Sequence, residues 1–519
     1  MKVKSENKQI FIASIINYVT FGFNILVAIF FTPFLLKSLG DVDYGIRSFA
    51  ISFVTYTTII GTGVSTAYLR FANIKKNEYG EDGVKDVDGI FLKIFIVLGL
   101  ASLFIGLLLF TLFITKAIPL AKYSDDQIFV ISVVVLLSFI TLGIKLPCSV
   151  CFLILNFKRK FIFRNTRFLL SALFEYAVSF LCLILGITVF KSSVIALSMV
   201  SLVSEIIFGI VTIFYLAVIL KHKLNFKAKV VEKTIWKDII TFSVISLMIV
   251  AVMSLNDSTD RIILGFFSPE AVTFYSLAII FNAYIRTAAD SISVLFTPRL
   301  AEQATGGKIN DLQKTYDFVS KICVVLISLI VFGYVCCGKE FLIMWLGQSK
   351  KDVYYYSLPL MVGLIALYPQ HFSINIHRAY GKQKFAATSL SITFLINVAV
   401  SISLALLFNK LFGNPVIGCI VGTLFTYLCE SIVLSIYNHK KLGLKQDNVW
   451  FQIIINTMIC FCVAIIILRS FDLIDLNIRP VYIMIIKGII YLAVVLVIQI
   501  LINKRDFVKL LHWRKNEEV

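Results

Sequence analysis

Between Ser254 and Asp290 the sequence SLNDSTDRIILGFFSPEAVTFYSLAIIFNAYIRTAAD sets Asp257, Asp260, Arg261, Arg286 and Asp290 among apolar residues. The flanking runs, Ile239 to Leu255 and Ala271 to Phe296, are each long enough to cross a hydrocarbon core of about 30 Å. At that depth an ionisable side chain costs at least about 2.5–3.5 kcal/mol unless it faces a partner or water, so it marks a pathway or a site. Arg286 and Asp290 are four residues apart, on one helical face and within pairing reach. Arg286 falls about thirteen residues into its span, about 20 Å from the outer turn at 1.5 Å per residue and so close to the midplane.

Further charges are set into other apolar runs: Arg47, Lys145, Glu175, Glu205, Glu430 and Lys487. Both signs occur, and helix-to-helix ion pairs are the reading for Lys487, Glu205 and Glu430. Arg47 and the charges around Asp260 differ, because they fall at the start of one span, the end of another and the middle of a third. Other chemistry is weakly signalled. Cys148 and Cys151 have CxxC spacing but no second pair, so small-residue packing is the reading. His371 and His377 could titrate near neutrality, though packing or a helix-end hydrogen bond accounts for them. The sequence has no Gly-rich phosphate loop of the Walker type, hence no expected ATP hydrolysis, and neither cofactor nor metal is expected.

The elements that must position these residues are membrane spans. A chain of 519 residues, 59% hydrophobic and 15% charged, has more apolar surface than a soluble fold can bury. Its mean hydropathy is +0.91. The reading is an all-α integral membrane protein of about fourteen spans, near 10–36, 44–69, 89–115, 128–155, 166–190, 193–220, 239–263, 272–297, 316–337, 353–377, 385–408, 415–438, 449–468 and 480–502. The first is too long for a signal-peptide core and lacks a small-residue cleavage site, so it is expected to be retained. The net charge of +19 reads as loop lysines and arginines rather than as nucleic-acid binding. Alternate connections differ roughly threefold in Lys and Arg, the richer set holding both termini and the Lys158-Arg159-Lys160 loop, which places both termini in the cytoplasm.

The sequence also repeats. Ser38 to Ser52 resembles Phe266 to Ile280, Arg70 matches Arg299, Lys158-Arg159-Lys160-Phe161 matches Lys382-Gln383-Lys384-Phe385, Lys145 near Pro147 matches His371 near Pro369, and Glu205 matches Glu430, at offsets near 224–230 residues. Spans 1–6 and 7–12 therefore read as two parallel copies of a six-helix lobe. Repeats of this kind place a substrate site between the halves and work by rocking them. The expected domains are 1–222, 223–445 and 446–519, the last an appended helix pair with a basic tail.

The turn LGDVDYG (Leu39 to Gly45) with GTGVSTAYLRFA (Gly61 to Ala72), the segment NDSTDRIILGFFSPEAVTFYSLA (Asn256 to Ala278), and AYGKQKFAATSLSITFLINVAVS (Ala379 to Ser401) followed by GNPVIGCIVGTLFTYL resemble the oligosaccharide flippases, the Wzx-like polysaccharide exporters of the multidrug/oligosaccharidyl-lipid/polysaccharide superfamily. The resemblance covers almost the whole chain and rests on loose, mostly apolar patterns. It implies fourteen helices in two lobes around a central cavity. It further implies transfer of an undecaprenyl-pyrophosphate-linked oligosaccharide, an O-antigen, capsule or related repeat unit, from the inner to the outer leaflet of the bacterial cytoplasmic membrane. The positions matching a cationic cavity are Arg47, Lys145 and Arg286; Asp260 holds the acidic position before Ile-Leu-Gly. Span 1 departs from the pattern in carrying no charge, so the cavity should be less basic than in lipid II flippases.

A pyrophosphate head is prohibitively costly in hydrocarbon, whereas arginines in a wet cavity grip its oxygens in a bidentate fork. Candidate sugar contacts are Tyr44, Asn256, Tyr275, Asn282 and Tyr284; candidate sites for a coupling cation are Asp257, Asp260 and Asp290. Expected partners are the lipid-linked oligosaccharide, membrane lipids and the polymerase and export machinery. A lipid II-type flippase or a drug/cation antiporter of the same superfamily would share the fold. A membrane glycosyltransferase or polymerase would be expected to carry a large outside loop with catalytic residues, and all connections here are short.

Overall fold

The computed structural model describes residues 2–222, 239, 243, 255, 257–307, 309–380, 383–473 and 480–502. Among the described residues the chain is helical throughout, without a named strand, and eleven helices are long and apolar enough to span a membrane. The first, Lys2–Ile114, is bent where Gly40 (φ 77°) and Gly80 (φ 65°) leave helical geometry, giving α1 (2–39), α2 (41–79) and α3 (81–114). A side chain with a Cβ is strained at such φ values, so glycine sets both corners. The expected seventh span, 239–263, falls mostly outside the described residues, as do Asn256 and the loop lysines 223–237; its end, α7 (257–265), is helical.

There follow α4 (Asp125–Phe157), α5 (Phe161–Ile184) and α6 (Ser193–Phe214) before α7, and after it α8 (Pro269–Thr305), α9 (Ile309–Leu346), α10 (Val353–His371), the short α11 (Ser373–Ala379), α12 (Gln383–Phe412), α13 (Pro415–Leu442), α14 (Asp447–Leu473) and α15 (Pro480–Ile502). Local chemistry sets the ends. Ser124 and Gln127 form a reciprocal capping box at α4. The span expected over 166–190 instead ends at Ile184, because Gly186 (φ 63°) closes a Schellman motif in which Ile187 N donates to Cys182 O at 2.9 Å and Gly186 N to Leu183 O at 3.3 Å. Pro359 and Pro369 both lie inside α10 without ending it.

The chain divides into two compact units, Met1–Ser276 with Leu390–Val416, and Leu277–Ser389 with Ile417–Val519. In the first, a core around Tyr68, Phe91, Phe95 and Ile154 joins α2, α3 and α4. Small residues let α3 and α4 approach closely: a Cβ on Gly99 would stand 2.7 Å from Gly143 O. In the second unit α9 is the hub. Val319, Cys323, Ile327 and Val331 are fully buried, in a core shared with α10, α14 and α15. Large apolar side chains remain on the outer surfaces, such as Phe104, Leu395 and Leu501, as a protein solvated by lipid tails requires.

Candidate functional site

In the second unit the α8 residues Asn282, Arg286 and Asp290 recur every four positions and so share a face. Asn282 is fully buried, Arg286 is half-buried, and Asp290 is exposed together with Ala283, Thr287 and Ser291. The Arg286 Nη2 donates to the Tyr427 hydroxyl of α13, and the guanidinium stands 5.7 Å from that ring's centre. Asp290 lies within the electrostatic reach of both Arg286 and His371. His371 of α10 packs flat on Tyr368 at 5.4 Å, and its Nδ1 is 3.6 Å from Glu430 Oε1 of α13. Three helices thus bring two carboxylates, an imidazole and a guanidinium into one polar region of a membrane span. The Thr287 and Ser291 hydroxyls are satisfied by Ala283 O and Thr287 O at 2.7 and 2.8 Å, but an exposed carboxylate halfway along a transmembrane helix calls for water, since contact with lipid tails would leave it unsolvated.

In the first unit, α7 and the start of α8 are tied by the Tyr275 hydroxyl, which donates to Asp260 Oδ2 at 2.6 Å with both side chains fully buried. Thr259 meets the Tyr56 hydroxyl of α2 and donates to Leu255 O at 2.7 Å. Tyr44 is buried where the positive fields of Arg47 and Arg261 overlap. The Nε atoms of those two arginines are buried without a hydrogen-bond partner among the described residues. Asp257 is half-buried one turn before Arg261. The second carboxylate of the motif therefore holds a tyrosine, while Arg47 and Arg261 set two positive charges beside Tyr44.

Lys145 is exposed on α4, and its charge bears on Glu205. Glu205 pairs with Arg167 at 3.4 Å, and that guanidinium lies 4.8 Å from the Phe152 ring centre. Glu175 accepts from Ser201 at 2.5 Å, and Lys487 of α15 meets Glu340 of α9 at 2.7 Å. All three charges expected in helix-to-helix pairs, Glu205, Glu430 and Lys487, have an oppositely charged or titratable partner on another helix. Cys148 and Cys151 are buried free thiols, and no metal-binding group of His, Cys, Asp or Glu occurs among the described residues.

Two residues escaped the sequence reading of the site. Tyr427, three positions before Glu430, and Tyr56, among Thr55, Thr57 and Thr58, carry no charge to single them out among the 21 tyrosines.

No family model and no curated protein sequence matches this chain. Solved structures do. A lipid II flippase, MurJ, in an inward closed conformation aligns over 96% of this chain and 99% of its own with a TM-score of 0.70 at 15% identity. An inward-facing multidrug resistance MATE transporter of the MOP superfamily aligns over 78% and 91% with a TM-score of 0.61 at 12% identity. An outward-facing one aligns over 84% and 96% with a TM-score of 0.56 at 14% identity. The chain therefore has the fold of MOP-superfamily membrane transporters.

Proposed function

We propose that this chain is a flippase that carries an undecaprenyl-pyrophosphate-linked oligosaccharide from the inner to the outer leaflet of a bacterial cytoplasmic membrane by alternating access of two six-helix lobes. The observation that carries this reading is the charged face of α8, where exposed Asp290 and the neighbouring half-buried Arg286 stand halfway along a membrane span. Arg286 supplies a fork for phosphate oxygens, and Arg47 and Arg261 supply two more guanidiniums in the first unit. Tyr275, Asn282 and Lys145 are further substrate contacts in this reading, and Asp257, Asp260 and Asp290 are the positions for a coupling cation. Both termini face the cytoplasm; a cysteine at Lys410 should then react with an impermeant thiol reagent outside intact cells, and one at Lys160 should not.

The likeness to MurJ favours a second reading in which the cargo is lipid II. One experiment separates the two. In cells that need this chain for a surface glycan, its removal should trap the lipid-linked glycan precursor in the inner leaflet, and supplying it to cells deprived of their lipid II flippase should not restore growth. Restored growth would assign lipid II as cargo. Normal surface glycan without trapped precursor would refute the oligosaccharide reading.

A further inference from the structure

Away from these charges, the first unit holds a cavity of about 280 Å³ in the angle between α1 and the start of α5, walled by Ser14, Asn17 and Tyr18 on one side and Phe161, Arg164 and Asn165 on the other. Asn165 is buried and serves both walls: its Nδ2 donates to Ala13 O at 2.8 Å, and its Oδ1 accepts from Arg164 Nε at 3.0 Å and Nη2 at 2.9 Å. Asn156 Oδ1 receives Nη1, and the guanidinium stands 5.7 Å from the Phe161 ring centre. A guanidinium has five N–H donors, so these three bonds fix its plane and leave two for a ligand.

Among the described residues the wall contains no carboxylate, and its charged residue is Arg164, so the ligand is an anion. Arg164 is the fourth residue of α5, about 5 Å from the helix end and thus at headgroup depth rather than mid-membrane. Around the opening α1 turns outward Phe11 (67% exposed), Ile15 (46%), Tyr18 (71%) and Val19 (52%), a surface that only hydrocarbon covers well. The ligand therefore couples a small anionic head to apolar tails. The volume lies just below that of sites for drug-sized ligands, which suits a phosphodiester.

We propose that this crevice is a headgroup site for an anionic glycerophospholipid of the surrounding leaflet, with the phosphate on Arg164 and the headgroup hydroxyls on Ser14, Asn17 and the Tyr18 hydroxyl. The acyl chains lie along the outer face of α1. The bound lipid adds a further link between α1 and α5, beside the Asn165 bond and the packing of Phe23 and Phe31 on Tyr176, and it stabilises the unit by mass action.

The test uses the full-length chain in detergent, with native mass spectrometry counting bound phosphatidylglycerol and phosphatidylcholine. The wild type should retain phosphatidylglycerol over phosphatidylcholine. Arg164→Gln should weaken it about tenfold, the worth of one charge-assisted contact. Arg159→Gln, which removes the same charge from the exposed turn, should leave binding unchanged. Ser14→Leu fills the crevice from α1 without touching the Arg164 bonds and should cause the same loss, so the result does not depend on Arg164→Gln folding. Excess inorganic phosphate should displace none of the lipid. Equal retention by wild type and Ser14→Leu, or a loss with Arg159→Gln as large as with Arg164→Gln, overturns the site; displacement by inorganic phosphate overturns the lipid as its ligand.

Discussion

Gly45, at the start of α2, lies against the carbonyl of Pro269, at the start of α8, so closely that any Cβ on Gly45 would overlap it. These residues belong to the two sequence segments that resemble each other, Ser38 to Ser52 and Phe266 to Ile280, and the contact continues where Thr273 Oγ1 donates to Asp41 O at 2.6 Å. Next to it, a Cβ on Gly265 would strike the Phe49 ring, and Tyr123 donates to Gly265 O at 2.8 Å. The repeated turn therefore packs against its own copy.

Gly45→Ala and Gly265→Ala should each destabilise by about 1–3 kcal/mol, as overpacking does in well-filled interiors. Gly22→Ala is the control, since nothing lies within 4 Å of its would-be Cβ. Thermal unfolding in detergent checks this, and equal midpoints for all three variants would contradict the close approach.

The fold was largely legible. Continuous apolar runs fix span positions because lipid demands about twenty apolar residues per crossing, and the described helices fall on the expected runs, apart from span 7, most of which lies outside the described residues, with ends shifted by up to about ten residues. The shifts come from local chemistry that hydropathy ignores, such as the Schellman turn at Gly186. The site was legible only in part. A charge in an apolar run announces itself, as Arg286 and Asp260 do. Its partner does not when it is a tyrosine, because Tyr427 and Tyr275 look like ordinary interfacial aromatics until the helices are packed.

Lys487 and Glu340 join α15 to α9 with little exposure on either side, 6% for the lysine and 23% for the glutamate. Breaking a buried pair leaves an uncompensated charge, so Lys487→Met should cost about 3–5 kcal/mol and lower the amount of protein in the membrane. Lys487→Met with Glu340→Gln should recover most of it. A double variant no better than the single one would remove this pair as a tie between the helices.

A polar chain crosses the first unit near the Lys158 turn. Tyr68 donates to Asp88 Oδ1 at 2.5 Å, His222 Nε2 donates to Asp88 Oδ2 at 2.8 Å, and Lys158 Nζ donates to His222 Nδ1 at 2.7 Å. Burial pushes the Lys158 ammonium below the ordinary lysine value of 10.5, against the pull of Asp88 and Glu81. The unfolded chain thus holds this proton more tightly, and stability rises as pH climbs from the lowered value through 10.5. Lys158→Gln should therefore unfold at a higher temperature than wild type at pH 7, with the margin closing toward pH 10.5. A margin that widens with pH would reverse the assigned cause.

The most direct measurement of the central claim follows a fluorescent undecaprenyl-pyrophosphate oligosaccharide across proteoliposomes containing the full chain. Wild type should move the lipid at a rate well above protein-free vesicles. Arg286→Ala should fall to the protein-free rate while remaining folded, and Arg286→Lys should recover part of it because it keeps the charge without the fork. Transport by a folded Arg286→Ala variant at the wild-type rate would contradict the account.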